Sequence, residues 1–182
     1  PGFCATDTGG VRAVNDSADW RSGCAGHPTW ETAMTPSDNC LALVRRFEGF
    51  RSSPYLCPAG VPTIGYGSTR YEDGSKVSLT DPPITQERAD QIMLSTLSTE
   101  YAPAVNRYVR APINQNQFDA LTDFAYNCGA KNLLNSTLLK RLNDLRYDDA
   151  AEQFDKWAYA DGKILAGLVK RRAAERILFE TK

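Results

Sequence analysis

The stretch FEGFRSSPYLCPAGVPTIGYGST, residues 47–69, joins a helical pattern to a short β-prone region. Apolar residues recur at helical spacing before it, and Gly49 is a natural helix stop. Glu48 therefore stands at the C-terminal end of a helix, where unpaired carbonyls and the helix dipole disfavour a negative charge. We expect this position to raise the pKa of Glu48 and to favour its protonated form.

The elements on either side of this stretch indicate the fold class. Ser37 suits the N-cap of the preceding helix, and residues 54–84 contain most of the β signal, with a turn at Asp73-Gly74. From Thr85 onward, amphipathic helical patterns follow one another, with an interruption near Pro103. One helix, a small antiparallel sheet and then several helices predict an α+β fold with segregated elements.

The N-terminal segment differs from the rest of the chain. Residues 1–36 are dominated by turn formers and small polar residues, and neither helical nor strand periodicity persists there. We interpret them as an irregular, cysteine-containing arm on a domain that spans residues 37–182. Three of the five cysteines lie in the first forty residues, a crowding typical of disulfides and of an oxidising compartment. The first residue is Pro1 rather than methionine, which indicates processing or the removal of a leader.

The bulk composition excludes several function classes. The 182 residues carry a net charge of −1 with Lys and Arg interleaved among Asp and Glu, which argues against a nucleic-acid partner. No apolar run approaches the ~20 residues that span a bilayer, so we expect no stable membrane insertion. No CxxC pair exists and His27 is the only histidine, which argues against a zinc ribbon and most histidine-based metal sites. No metal or organic cofactor is expected. A monomer is expected.

Three residues around the opening stretch have side chains suited to catalysis. Glu48 and Cys57 are nine positions apart, and Cys57 and Thr63 are six apart. A carboxylic acid works as a general acid near neutral pH only if it remains protonated, which the expected pKa of Glu48 allows. Taken singly, Glu48 could be an ordinary helix end, Cys57 a buried apolar side chain or half of a disulfide, and Thr63 a strand residue.

The order of several motifs resembles one enzyme family. The pattern Glu-x8-(Asp or Cys)-x5-Thr followed by Gly-Tyr-Gly resembles the phage-type lysozymes, the endolysins of glycoside hydrolase family 24. The segments FDALTDFAYNCGA (118–130), STLLKRLN (136–143) and FDKWAYADGKILAGLVKRRAAER (154–176) extend the resemblance over roughly residues 40–178. It implies a two-lobed lysozyme-like fold and a muramidase that hydrolyses the bond between N-acetylmuramic acid and N-acetylglucosamine in bacterial peptidoglycan.

The resemblance also implies roles for individual residues. Glu48 matches the essential acid, Thr63 matches a threonine that helps to position water, and Cys57 occupies a position that is most often aspartate. Glycines let a chain approach a sugar closely, and amides suit its N-acetyl and hydroxyl groups. The expected substrate-binding residues are Tyr66, Gly67, Gln117 and Asn127, and the expected partner of the acid is Arg171 or Arg172.

A thiol at Cys57 leaves the mechanism open. A neutral thiol is a poor base for water, and with an ordinary pKa near 8.5 only a few percent is thiolate at pH 7. We favour water positioned by Cys57 and Thr63, while attack of the thiol on the anomeric carbon would give a covalent intermediate and retention of configuration.

The odd cysteine count raises a question of redox state. One hypothesis leaves Cys57 as the free thiol and pairs the other four cysteines in two disulfides. The alternative bridges Cys57 in a latent form that disulfide exchange releases. The four cysteines that the first hypothesis pairs are Cys4, Cys24, Cys40 and Cys128.

The sequence therefore predicts an exported, bacteriolytic peptidoglycan hydrolase that acts in the periplasm or outside the cell. Two alternatives remain at this point: a lytic transglycosylase that uses Glu48 alone, and a wall-binding protein that kept the fold without activity. A cysteine protease built on Cys57 and His27 has no orienting motif to support it.

Overall fold

The computed structural model describes residues 33–160 and 162–182. The arm predicted over residues 1–36 lies almost entirely outside the described residues, and with it Cys4, Cys24 and His27. The described part begins just before the helix that carries Glu48.

Helix α1 (Asp38–Glu48) has the boundaries that the sequence predicts. The side chain of Ser37 accepts a hydrogen bond from the backbone N–H of Asn39, and Gly49 ends the helix with a φ of 72°. Such a positive φ strains any residue with a Cβ, which explains the glycine. One face of α1 is buried and the other is exposed, so packing of the buried face fixes the direction in which Glu48 leaves the helix.

The small lobe contains one hairpin. Strand β1 (Arg51–Leu56) pairs antiparallel with β2 (Pro62–Gly65), and Tyr55 lies opposite Thr63. The predicted turn at Asp73-Gly74 is flanked by the single bridge Arg70–Lys76 rather than by two paired strands. The segments on either side of this turn are too short to form a ladder.

The helical lobe follows in the predicted order, with two irregular turns. Its helices and turns are α2 (Gln86–Thr96), a π turn (Leu97–Tyr101), α3 (Ala102–Tyr108), α4 (Gln115–Cys128), α5 (Ala130–Leu134), α6 (Thr137–Asn143), α7 (Tyr147–Gln153) and a 3₁₀ turn (Phe154–Trp157). A two-residue hairpin of β3 (Tyr159–Ala160) and β4 (Lys163–Ile164) then leads into α8 (Ala166–Glu180).

Pro103 is preceded by a π turn, and the chain remains helical on both sides of that turn. The side chain of Thr85 caps α2, as predicted, by accepting from the N–H of Arg88. Because proline has no N–H to donate, the ladder widens into the π turn ahead of it, and α3 resumes with Pro103 near its start. The π turn places Tyr101 against Tyr126, with ring centroids 5.3 Å apart.

Helix α4 forms the centre of the molecule. Its side chains Phe118, Leu121 and Phe124 are fully buried in the larger core, and α8 and α1 pack against it. A second, smaller core joins α1 and α2 to the small lobe through Tyr66 and Tyr126. The end of α1 therefore lies where both lobes meet α4 and α8.

The start of α1 is tied to α4 by a buried carboxylate. Asp119 is fully buried and accepts hydrogen bonds from the N–H of Ser37 at 2.9 Å, from the Ser37 hydroxyl and from Gln115 Nε2 at 3.0 Å. Asn106 in turn bonds both the N–H and the carbonyl of Met34, at 3.0 and 2.8 Å. These side chains anchor the chain where it enters the domain.

Replacing Asp119 tests this anchor. We expect Asp119→Ala to lower the free energy of unfolding by about 2–4 kcal/mol, because three donors lose a buried charged acceptor. Urea unfolding would measure the loss, and Asp144→Ala, at an exposed carboxylate, is the matched control. Equal stability of the two variants would contradict the anchoring role.

Candidate active site

Glu48 is buried at the junction of the lobes. Its side chain is only 4% exposed, and its Oε1 accepts a hydrogen bond from Arg171 Nη1 at 2.5 Å. Burial raises the pKa of Glu48, while the charge of Arg171 opposes that rise. The expected direction of the pKa shift is thus confirmed, but desolvation is its largest cause.

Arg171 holds carboxylates on two sides. Its Nε and Nη2 donate to the two oxygens of Asp123, at 3.0 and 2.7 Å, in the bidentate geometry that suits a guanidinium. Its Nη1 reaches Glu48, so one buried cation joins α1, α4 and α8. Arg171 is therefore the arginine that contacts the candidate acid.

Arg172 points to the neighbouring group of residues. Its Nη2 donates to Asn127 Oδ1 and to Glu175 Oε1, both at 2.7 Å, and its Nη1 lies 2.8 Å from the sulfur of Cys128. The bond to Oδ1 turns the amide nitrogen of half-buried Asn127 away from the guanidinium. Arg172 thus orients Asn127, a residue predicted to bind the sugar, rather than the candidate acid Glu48.

Two acidic residues of this site were missed by the sequence analysis. Asp123 and Glu175 are both fully buried and both contact the arginines of α8. The sequence held a signal for each. Asp123 interrupts the apolar face of α4, and Glu175 follows Arg171 by one helical turn, where an i,i+4 ion pair forms.

Cys57 and Thr63 meet at the end of the β1–β2 hairpin. Cys57 is 4% exposed and Thr63 is fully buried. The carbonyl of Val61 accepts from both, from the N–H of Cys57 at 3.0 Å and from the Thr63 hydroxyl at 2.9 Å. A single turn carbonyl therefore joins the backbone of Cys57 to the side chain of Thr63.

Tyr66 and Gly67 connect the hairpin to the helical lobe. The Tyr66 side chain is 2% exposed, its ring centroid lies 5.8 Å from that of Phe50, and its carbonyl accepts from the Tyr126 hydroxyl at 3.1 Å. At Gly67, where φ is 99°, a Cβ would lie 3.4 Å from that hydroxyl. The Tyr66 ring therefore packs between the lobes, and its contact with a sugar stays a prediction.

Gln117 does not join this group. Its Oε1 accepts from the N–H of Asn114 at 3.0 Å, and Asn114 caps the same first turn of α4 in return. Gln117 precedes Tyr126 by nine residues, so it lies about 13 Å away along the helix axis. Its predicted role in sugar binding rests on the sequence alone.

The expected disulfides of Cys40 and Cys128 are wrong. Both residues are free thiols in the structure. Cys40 is fully buried in the smaller core on the inner face of α1, and the Cys128 sulfur lies against the guanidinium of Arg172. Packing in these two places, rather than a covalent bridge, explains both cysteines, while Cys4 and Cys24 lie outside the described residues.

Residues 33–160 and 162–182 lack two features, a metal-binding cluster and a membrane-spanning helix. These residues contain no cluster of His, Cys, Asp and Glu side chains able to hold a metal ion. None of the helices described there is long and apolar enough to cross a bilayer.

Comparison with known proteins identifies close relatives. Residues 45–175 match the Phage lysozyme family. The endolysin of Acyrthosiphon pisum secondary endosymbiont phage 1 is 38% identical over 152 residues, which cover 81% of this chain and 99% of that protein. Among solved structures, an endolysin from Escherichia coli O157:H7 phage FAHEc1 is 36% identical to this chain, and the alignment covers 81% of this chain and 94% of that one with a TM-score of 0.72. The muramidase domain of SpmX from Asticaccaulis excentricus is 35% identical, and the alignment covers 80% of this chain and 97% of that one with a TM-score of 0.69.

Removing the central cation tests the electrostatics of the site. We expect Arg171→Met to lower the free energy of unfolding by roughly 3–5 kcal/mol, because Glu48 and Asp123 would be left as buried carboxylates without their cation. Burial already raises the pKa of Glu48, and without the guanidinium that opposes this rise the pKa would lie further above its unfolded value. The variant should therefore be most stable below the unfolded pKa of Glu48 and lose stability as pH rises through the folded one.

Urea unfolding between pH 4 and pH 8 would measure this dependence. Arg107→Met, at an exposed arginine, is the control, and Arg171→Met/Asp123→Asn should recover part of the loss. A loss that does not change with pH would contradict the electrostatic explanation.

Proposed function

The chain belongs to the phage lysozyme family, and from that premise we propose that it cleaves the β-1,4 bond between N-acetylmuramic acid and N-acetylglucosamine with Glu48 as the general acid. The chain is a glycoside hydrolase, and its function is that of an endolysin, a hydrolase of peptidoglycan. The bond and the residues that act on it are the parts that we propose.

The observation that supports Glu48 as the acid is its ion pair with Arg171 in a buried site. Burial raises the pKa of Glu48, which is the direction that a general acid requires. Arg171 binds Oε1, which leaves Oε2 as the oxygen that carries the proton to the leaving glycosidic oxygen. Once the proton is transferred, the same guanidinium stabilises the carboxylate that forms.

We assign the positioning of the attacking water to Cys57 and Thr63. The Thr63 hydroxyl donates to the Val61 carbonyl, so its oxygen presents lone pairs that can accept from water. The Cys57 backbone N–H is bonded to the same carbonyl, which ties the backbone that carries the thiol to this hydroxyl. Water placed in this way attacks across the sugar ring from Glu48 and inverts the anomeric configuration.

Substrate binding and the place of action complete the proposal. Asn127, oriented by Arg172, offers its amide nitrogen to an N-acetyl or hydroxyl group of the sugar. The backbone at Gly67 admits the close approach of a sugar that a side chain would block. We infer that residues 37–182 are the catalytic unit and that it acts as a monomer on the cell wall, in the periplasm or outside the cell.

Substitution of Glu48 tests the general acid. Glu48→Gln keeps the shape of the side chain but cannot supply the proton, so we expect turnover of purified peptidoglycan to fall at least a thousandfold, within the range for loss of a general acid. Turbidity loss measures the rate, and mass spectrometry of the products identifies the reaction. Glu152→Gln, at an exposed glutamate of α7, should match the unchanged chain.

The products separate the alternatives. New reducing ends on N-acetylmuramic acid support hydrolysis of the proposed bond, whereas a 1,6-anhydro product would identify a lytic transglycosylase. An active Glu48→Gln variant would overturn the assignment of the acid, and an inactive unchanged chain would favour a wall-binding protein without activity.

Changes at Cys57 and Thr63 test the positioning of water. We expect Cys57→Asp to retain activity, because a carboxylate also holds water, and Cys57→Ala and Thr63→Val to lose roughly tenfold to a hundredfold in kcat. NMR of the first-formed product should show an inverted anomeric configuration. Retention, together with a sugar adduct on Cys57 by mass spectrometry, would instead support covalent catalysis by the thiol.

A further inference from the structure

Behind the candidate acid, the structure collects more buried carboxylates than cations. Glu48, Asp123 and Glu175 are joined by Arg171 and Arg172, and all five side chains are at most 4% exposed. If all were ionised, the group would carry a net charge of −1 away from water. Burial of an unbalanced charge is costly, and a carboxyl group avoids that cost by holding a proton.

The contacts of Glu175 make it a candidate site for such a proton, in addition to Glu48. Its Oε1 accepts from Arg172 Nη2 at 2.7 Å and faces Arg171 Nε at 3.5 Å. Its Oε2 is buried and receives no hydrogen bond from the residues that the structure describes. Arg171 Nε lies 3.0 Å from Asp123 Oδ2 and 3.5 Å from Glu175 Oε1, so the two carboxyl groups lie side by side. Two carboxylates offer only acceptors to each other, so this contact becomes a hydrogen bond only when one of them is protonated.

Asp123 is the worse site for that proton. Both of its oxygens accept from Arg171, in a bidentate pair that favours the ionised form. Glu175 accepts one short bond through Oε1, and its Oε2 remains available to carry hydrogen. Burial raises the pKa of Glu175 well above its usual range, and the nearby Asp123 acts in the same direction.

We propose that Glu175 is a neutral carboxylic acid whose Oε2–H donates to Asp123 and so positions the Arg171 guanidinium against Glu48. The chain of contacts runs from Glu175 to Asp123, from Asp123 to Arg171 and from Arg171 to Glu48. Glu175 is thus a positioning residue that acts through two others. The role in catalysis rests on the proposed function of Glu48, whereas the protonation state does not.

The charged and titratable groups around Glu175 are consistent with this state. Arg171 and Arg172 face it from its own helix, Asp123 and Cys128 from α4, and Cys40 from α1. Burial raises the pKa of both thiols, so neither supplies a further negative charge near neutral pH. With Glu175 neutral, the two guanidinium charges are matched by the carboxylates of Asp123 and of Glu48 once Glu48 has given up its proton.

A matched pair of variants tests the proposal. Glu175→Gln preserves a neutral group with one donor and one acceptor, and Glu175→Met preserves the length without either. We expect kcat on peptidoglycan to remain within about twofold for Glu175→Gln and to fall roughly tenfold to a hundredfold for Glu175→Met, with KM nearly unchanged in both. If Glu175 contributed only to stability, the folded Glu175→Gln and Glu175→Met variants would have the same kcat.

Infrared spectroscopy reads the proton directly. The difference spectrum between the unchanged chain and Glu175→Gln at pH 7 should contain the carbonyl band of a neutral carboxylic acid, shifted in D₂O. The absence of that band, or an equal loss of kcat in the two variants, would overturn the proposal, as would a fully active Glu175→Met. If Glu175→Met does not fold, the band and the activity of Glu175→Gln decide.

These experiments distinguish failure of the proposal for Glu175 from failure of the proposed function. An active Glu48→Gln variant would show that Glu48 is not the acid, while the infrared band would still report the state of Glu175. Conversely, a missing band in an enzyme that requires Glu48 would overturn the role of Glu175 alone.

Discussion

The ion pair between Arg171 and its two carboxylates is the constraint on which the site depends. Asp123 holds the guanidinium by two hydrogen bonds from α4, and the remaining edge reaches Glu48 at the end of α1. A buried arginine requires partners for its donors, since an unpaired buried charge is costly. The packing of α1, α4 and α8 therefore has to bring these three residues together, and the candidate acid is fixed by the same contacts that hold the helices.

The smaller lobe is attached to this centre by a different kind of contact. Tyr66 enters the smaller core, and its carbonyl accepts from Tyr126, one turn beyond Asp123 on α4. Gly67 lets the hairpin approach the Tyr126 hydroxyl closely. Neighbouring turns of α4 thus position both sides of the proposed cleft, with the acid fixed through Asp123 and the hairpin that carries Cys57 and Thr63 fixed through Tyr126.

The sequence predicted local structure well and the buried polar network poorly. Ser37, Gly49 and Thr85 act through neighbouring residues, so their effects on helix boundaries can be inferred from short patterns. Asp123 and Glu175 are 52 positions apart and acquire their roles only when α4 packs on α8. Cys40 and Cys128 were misassigned for the same reason, because composition suggests disulfides while tertiary packing places each thiol in a separate environment.

In the proposed mechanism, Glu48 acts first as an acid and then becomes a stable carboxylate. The charge balance of the buried network affects both states. Burial alone would raise the pKa of Glu48 so far that the carboxyl group would be a weak proton donor. A full ion pair alone would keep the same group ionised. The structure combines the two, since Glu48 is desolvated yet shares its cation with Asp123. A neutral Glu175 leaves that cation undivided by a third carboxylate. In the proposed mechanism, the strength of the acid then depends on how Arg171 is shared between Glu48 and Asp123.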